Sequence, residues 1–209
     1  MSRILLVPGS FNPVTNAHID IAIAAKRAIR ADHVFFIPAH DSYVARKGVL
    51  IPGEHRAELI NTAPVCMLEW MVATDIEIKS FFPQRTYDTI EQIRNKDEEQ
   101  FKFNEYYICL GTDDVATLPL WYNWRKLVEN YHFVACTRNE MKLEDALCCF
   151  EEEYKKQFIE VQIPKNESQI SSTLVRELCA KGEFDEVKKM VPENVYKYLI
   201  RFYGVMNRI

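Results

Sequence analysis

The sequence predicts an α/β fold, a doubly wound parallel sheet closed by a C-terminal helical cap. Two observations carry this. Between residues 4 and 163, short apolar runs of strand length alternate with helix-favouring segments, the mark of βαβ units. After Pro164 the alternation stops and three helical patterns follow one another. Size agrees: 209 residues, 48% hydrophobic and 27% charged, suffice for one well-formed core. One domain is expected, with a sheet core over 1–165 and a helical subdomain over 166–209.

The elements follow in order. Ile4 to Val7 is an apolar run stopped by Pro8-Gly9, as a central strand would be. Asn16 to Ala31 is Ala-rich, with Ile19, Ala22, Ile23 and Ile29 near helical spacing. Val34 to Ile37 reads as a strand cut by Pro38, Glu54 to Thr62 as a helix, and Met67 to Ile78 as a long strand. Tyr87 to Arg94 is helical, Lys96 to Glu105 a polar loop, and Tyr106 to Leu110 a strand. Trp124 to Glu129 (helix), Phe133 to Cys136 (strand), Leu143 to Lys156 (helix) and Ile159 to Ile163 (strand) complete the sheet region. Thr173 to Cys179, Phe184 to Met190 and Asn194 to Phe202 are the cap.

Charge narrows the function. Twenty-six Lys and Arg against thirty Asp and Glu give a net charge of −4, which argues against bulk nucleic acid or an anionic membrane as partner. No apolar stretch approaches the roughly 20 residues of a membrane span, and the opening residues read as a strand rather than a signal peptide. The six cysteines show no C-x-x-C pair or metal-ligand spacing, so a reduced intracellular protein without a protein metal site is expected.

Ligands of open parallel sheets bind beyond the carboxyl ends of the strands. After the first strand comes Gly9-Ser10-Phe11-Asn12-Pro13-Val14-Thr15-Asn16-Ala17-His18. Gly9 permits close backbone approach, Thr15 or Asn16 suits a helix cap, and His18 falls in the first turns, where anions are favoured. Far downstream, Ile170-Ser171-Ser172-Thr173-Leu174-Val175-Arg176 sets hydroxyls and a guanidinium at another helix start, which suits phosphate oxygens. Taken singly, each segment is also what an ordinary capped helix shows.

Together, Gly-Ser-Phe-Asn-Pro-x-Thr-x-x-His and Ile-Ser-Ser-Thr-x-x-Arg resemble the paired signatures of the nucleotidyltransferases with the (H/T)-x-x-H motif. Within that superfamily the chain resembles the nicotinamide and nicotinic acid mononucleotide adenylyltransferases over nearly its whole length. Arg46-Lys47-Gly48-Val49-Leu50-Ile51-Pro52-x-x-His55-Arg56 is similar to a segment of eukaryotic members, and Leu118-Pro119-Leu120-Trp121-x-x-Trp124 to a bacterial pattern. Gly111-Thr112-Asp113 resembles the family's Gly-x-Asp after a central strand.

The resemblance implies a Rossmann-like fold and an enzyme joining ATP to nicotinamide or nicotinic acid mononucleotide, giving NAD or deamido-NAD plus pyrophosphate. The mononucleotide 5′-phosphate would attack the ATP α-phosphorus directly, with Mg²⁺ carried on the ATP phosphates. His18 and Arg176 are the catalytic residues so implied. Gly9, Ser10, Phe11, Thr15, Gly111, Asp113, Ser172 and Thr173 would hold ATP with them; Ser10, Arg46, Lys47, Thr89 and Trp121 would hold the mononucleotide. Arg46 and Lys47 also fit a solvated basic loop, and Trp121 a core position; Trp124 is expected in the core.

The resemblance departs at Thr86, where human-like members carry an aromatic residue, so stacking falls to Trp121 with Tyr87 as a candidate. The mixed motifs leave amide against acid open, as they do homo-oligomerisation and a cytoplasmic or nuclear setting. The rivals are a sister transferase of the phosphopantetheine type, which lacks the Trp121 stretch, and a non-catalytic, chaperone-like nucleotide binder. A redox dinucleotide fold would need Gly-x-Gly-x-x-Gly after the first strand, and no second glycine follows Gly9 there.

Overall fold

The computed structural model describes residues 2–64, 70–98, 104–137, 141–163 and 170–206. Six strands form one sheet: β1 (Arg3–Gly9), β2 (His33–Pro38), β3 (Met71–Ala73), β4 (Glu105–Gly111), β5 (His132–Thr137) and β6 (Phe158–Gln162). Their order is β3-β2-β1-β4-β5-β6 and every pair is parallel. That order is the doubly wound one, in which successive units run outward on both sides of β1.

Alternation along the strands divides the core. Leu5 and Val7 face one buried cluster with α1 (Asn16–Ile29) and α3 (Gly53–Asn61), while Ile4 and Leu6 face the other. That second cluster holds α4 (Thr86–Glu98), α5 (Thr112–Thr117), α6 (Trp124–Asn130) and α7 (Leu143–Ala146). A strand buried on both faces reads as a continuous apolar run, which is why Ile4 to Val7 shows no alternation. The cap is α9 (Ser172–Lys181), α10 (Phe184–Met190) and α11 (Glu193–Met206); its Val175, Cys179, Val187, Val195 and Leu199 belong to the first cluster. The cap therefore shares a core with the sheet. No helix of the described residues is long and apolar enough to cross a membrane.

Several expected elements change. Of 67–78, residues 67–69 lie outside the described residues, and only Met71–Ala73 is strand. Beyond it the chain turns, with the Lys79 N–H donating to the Asp75 carbonyl and the Ser80 N–H to that of Glu77. The expected helix 143–156 is α7 and a separate α8 (Glu152–Lys155), because the intervening turn sinks Leu147 and Phe150 into the core. The loop expected from Lys96 starts later, since α4 runs through Glu98; residues 99–103 lie outside the described residues. So do Cys66 and the boundary at 165/166. A short helix α2 (Asp41–Val44), followed by a 3₁₀ turn over Ala45–Lys47, was not expected, and neither was α5.

Candidate active site

β1 and β4 are neighbours whose chain continuations leave toward opposite sides of the sheet, and a cleft in two chambers opens at their carboxyl ends. The larger, about 650 Å³, is lined among others by His40, Tyr43, Arg46, Glu77, Gln84, Arg85, Thr86, Trp121 and Tyr122. The smaller, about 460 Å³, is lined by Phe11, His18, Gly111, Asp113, Ser172, Thr173 and Arg176. Pro8, Gly9, Ser10, Lys47, Leu110 and Asp114 line both, so the chambers meet over the end of β1.

The β1–α1 loop is built around Phe11. Its backbone is left-handed (φ 45°), and its ring packs edge-on against His18 and Phe36. A Cβ on residue 9 would lie 2.7 Å from that ring, so Gly9 is required by the loop's own packing as well as by any ligand. Thr15 ends the loop: its backbone N–H donates to His18 Nδ1 at 3.1 Å, and its hydroxyl lies 2.7 Å from the same nitrogen. A nitrogen that accepts an N–H carries no proton, so the neutral ring holds its proton on Nε2. His18 therefore faces the smaller chamber's chemistry as a hydrogen-bond donor.

Beneath the loop lies Arg56, wholly buried. Its guanidinium donates to the carbonyls of Ser10 (2.6 Å), Ala39 (2.6 Å) and Ile51 (3.0 Å), and pairs with Asp41 at 2.6 Å. Asp41 in turn accepts the Gly53 N–H at 3.1 Å. Asn12 works beside it, its amide donating to the Val49 carbonyl (2.7 Å) and accepting from the Ile51 N–H (2.9 Å). These bonds fix the Lys47–Ile51 stretch against the end of β1. Lys47 donates to the Ser10 hydroxyl at 3.0 Å and sits over the Tyr43 ring, at the junction of the chambers. Arg46 extends into the larger chamber and is exposed.

The cap supplies the far wall. Ser171 accepts the Leu174 N–H at 3.2 Å and is the cap of α9. Ser172 donates to the Pro13 carbonyl at 2.8 Å. Arg176 donates to the carbonyls of Asn12 (2.8 Å) and Lys47 (3.1 Å) and to the Thr173 hydroxyl (3.2 Å). The result is a helix N-terminus, a guanidinium and an imidazole N–H around one cavity, an anion-binding set.

Most residues singled out in the sequence line the cleft: Gly9, Ser10, Phe11, His18, Gly111, Asp113, Ser172, Thr173 and Arg176 the smaller chamber, and Ser10, Arg46, Lys47 and Trp121 the larger. Thr15 and Thr89 do not. Thr15 is buried behind His18, and Thr89, 1% exposed, donates to Glu77 at 2.8 Å. Tyr87 packs toward Tyr122 and is not part of the lining, while Trp124, expected in the core, is half-buried and packs against the second cluster beside Phe150 and Tyr154. Sequence reasoning missed Glu77, whose largely buried carboxyl is pushed up in pKa by desolvation against the opposing Thr89 hydrogen bond. Arg56 was within reach: it stands with Ala57, Leu59 and Ile60 on the buried side of α3, where an arginine must be paired.

A family model described as cytidylyltransferase-like matches residues 6–178. Among solved structures, Plasmodium falciparum nicotinic acid mononucleotide adenylyltransferase complexed with NaAD superposes with a TM-score of 0.73 at 21% identity, covering 98% of this chain and 98% of that one. The same Plasmodium falciparum enzyme complexed with APC gives a TM-score of 0.73 and 21% identity over 99% and 98%. The fold is common to them.

Proposed function

The chain belongs to the cytidylyltransferase-like family, and from that premise we propose that it transfers the adenylyl group of ATP to nicotinamide or nicotinic acid mononucleotide, releasing pyrophosphate. The observation that carries this is the paired chamber. One cavity is ringed by phosphate-binding groups, the other holds an aromatic shelf and a basic loop, and they meet at Ser10 and Lys47. Two substrates that must touch through their phosphates need such a junction. The Plasmodium falciparum relative, described as a nicotinic acid mononucleotide adenylyltransferase, supports the same reading.

In this mechanism ATP occupies the smaller chamber, its ribose against Asp113 and its phosphates between His18 and the N-terminus of α9. Arg176, already fixed by three acceptors, turns its remaining N–H groups to the leaving pyrophosphate. The mononucleotide lies in the larger chamber with its ring on Trp121 and its phosphate at Arg46 and Lys47. Its phosphate oxygen attacks the α-phosphorus as the bond to the pyrophosphate oxygen breaks, with no covalent enzyme intermediate. His18 Nε2–H stabilises charge on the transferring group, and Thr15 keeps the proton on that nitrogen. Catalysis is then positioning and preorganised electrostatics.

Mg²⁺ belongs to this reading as part of the ATP substrate. Asp114, which lines both chambers, would put a hard oxygen donor beside the phosphates, the ligand type Mg²⁺ takes, and one carboxylate suffices when substrate phosphates supply the rest. When bound, the ion neutralises phosphate charge. A cytoplasmic or nuclear setting accords with the acidic, cysteine-bearing composition.

The test is dinucleotide formation from Mg²⁺·ATP with each mononucleotide in turn. Product with either establishes the activity; product with neither, from folded protein that binds ATP, refutes it. Comparable kcat/KM for both shows dual use, whereas a ratio above about 100, some 2.7 kcal/mol, assigns one.

A further inference from the structure

The larger chamber carries a cation that the mechanism above does not use. Arg85 is exposed, lines this chamber together with Trp121, and stands at the start of α4, where its carbonyl accepts the Thr89 N–H at 3.0 Å. Two residues on, the Tyr87 ring meets that of Tyr122, centroids 6.5 Å apart, so the start of α4 lies beside the Trp121 shelf. Arg46 and Lys47 enter from another part of the lining, where Lys47 reaches the Ser10 hydroxyl at the junction of the chambers. Among the described residues Arg3, Arg56, Arg94 and Arg125 each pair with a carboxylate, and Arg85 pairs with none. The acidic side chains of this lining are Glu77 and Asp114. Glu77 already accepts the Thr89 hydroxyl at 2.8 Å and the His40 backbone N–H, and Asp114 lies where the two chambers meet.

We propose that Arg85 selects the acid form of the mononucleotide, its guanidinium pairing with the carboxylate on the pyridine ring. The inference rests on the adenylyltransferase reading and on the larger chamber as the mononucleotide end. Nicotinic acid mononucleotide is anionic at both ends, a 5′-phosphate and a ring carboxylate; the amide is anionic only at its phosphate. The chamber is cationic in two places to match, Arg46 with Lys47 near the junction and Arg85 beside the shelf. With the phosphate at the first and the ring on Trp121, the ring substituent comes to the second. A guanidinium offers a carboxylate two parallel N–H donors, the strongest arrangement for that pair. A carboxamide brings one oxygen and an NH₂ group, and arginine has no acceptor for the latter. The same residue therefore favours the acid and leaves part of the amide unmatched.

The test measures dinucleotide formation from Mg²⁺·ATP with each mononucleotide, for the full chain, Arg85→Met and Arg85→Lys. The parent should use the acid with kcat/KM about tenfold above the amide, the low end for a charged hydrogen bond because water reaches the guanidinium. Arg85→Met keeps the apolar stem, and should raise KM for the acid about tenfold while KM for the amide moves less than about threefold. Arg85→Lys should restore part of the preference, as a point charge without the planar fork. Equal losses on both substrates mark a purely structural role and overturn the proposal. An unchanged KM for the acid, or a parent that prefers the amide, overturns it as well. Absence of dinucleotide with both substrates is instead a failure of the adenylyltransferase reading. Calorimetric titration of each mononucleotide into the parent and Arg85→Met then judges Arg85 without turnover. Acid bound no more tightly than amide, or the same preference in the variant, overturns the assignment.

Discussion

Replacing Arg56 should unfasten the active-site loop and much of the fold's stability at once. Arg56→Met keeps the apolar stem but leaves the carbonyls of Ser10, Ala39 and Ile51 without a donor. A buried unsatisfied group costs about 1–3 kcal/mol, and removing one member of a buried pair about 3–5 kcal/mol. The partner Asp41 has a side chain 41% exposed, so water recovers part of its loss and the lower half of that span applies. The expected loss is about 3–4 kcal/mol. At roughly 2–4 °C per kcal/mol for a chain of this size, Tm should fall by about 6–16 °C. Urea unfolding measures the first figure and calorimetry the second. Arg56→Lys should recover little, since one ammonium cannot span acceptors arranged for a planar fork. A loss below about 1 kcal/mol, or full recovery by lysine, would refute the account of Arg56 as the tie between β1, β2 and the Lys47–Ile51 stretch.

Three further outcomes are expected. His18→Ala should lower kcat by about 10²-fold or more with Tm nearly unchanged, and Thr15→Val should lower it less; near-normal turnover in a folded His18→Ala removes the imidazole from the mechanism. Arg176→Ala should raise KM for ATP, and for pyrophosphate in the reverse reaction, by about tenfold or more; unchanged values for both contradict its phosphate role. Glu77 carries a carboxyl raised by burial, so its stability penalty is absent below the unfolded-state value, grows as pH rises through the folded one and is complete above it. Glu77→Gln should therefore gain Tm relative to the parent more at about pH 7.5 than at about pH 4, and an equal difference at both shows that the carboxyl is not destabilised by burial.

The strands and their ends were legible because central parallel strands advertise themselves as unbroken apolar runs, Ile4 to Val7 above all. The loop after β1 was legible for a similar reason: Gly9, Asn12, Pro13 and Thr15 each have few conformational uses. What escaped is tertiary. Nothing local shows that Thr15 and Thr89 turn their hydroxyls inward, toward His18 and Glu77, instead of into the cleft. The break between α7 and α8 follows from burying Leu147 and Phe150 together, a choice made by the core and invisible in a window rich in helix formers. Glu77 was hidden by the expectation of strand over 67–78, where a turn delivers it to the larger chamber.

The tie from Arg176 back to Asn12 joins residues 164 positions apart, and Ser172 to Pro13 spans 159. During synthesis at about 5–20 residues per second, the loop after β1 waits roughly ten to thirty seconds for the helix that completes it. Over that interval the cleft lacks the wall that Ser172 and Arg176 supply, and the ATP site proposed above is incomplete. Ligand stabilisation acts only on what the ligand binds. On the function proposed above, ATP would therefore protect the finished chain against unfolding and give no help to one still leaving the ribosome.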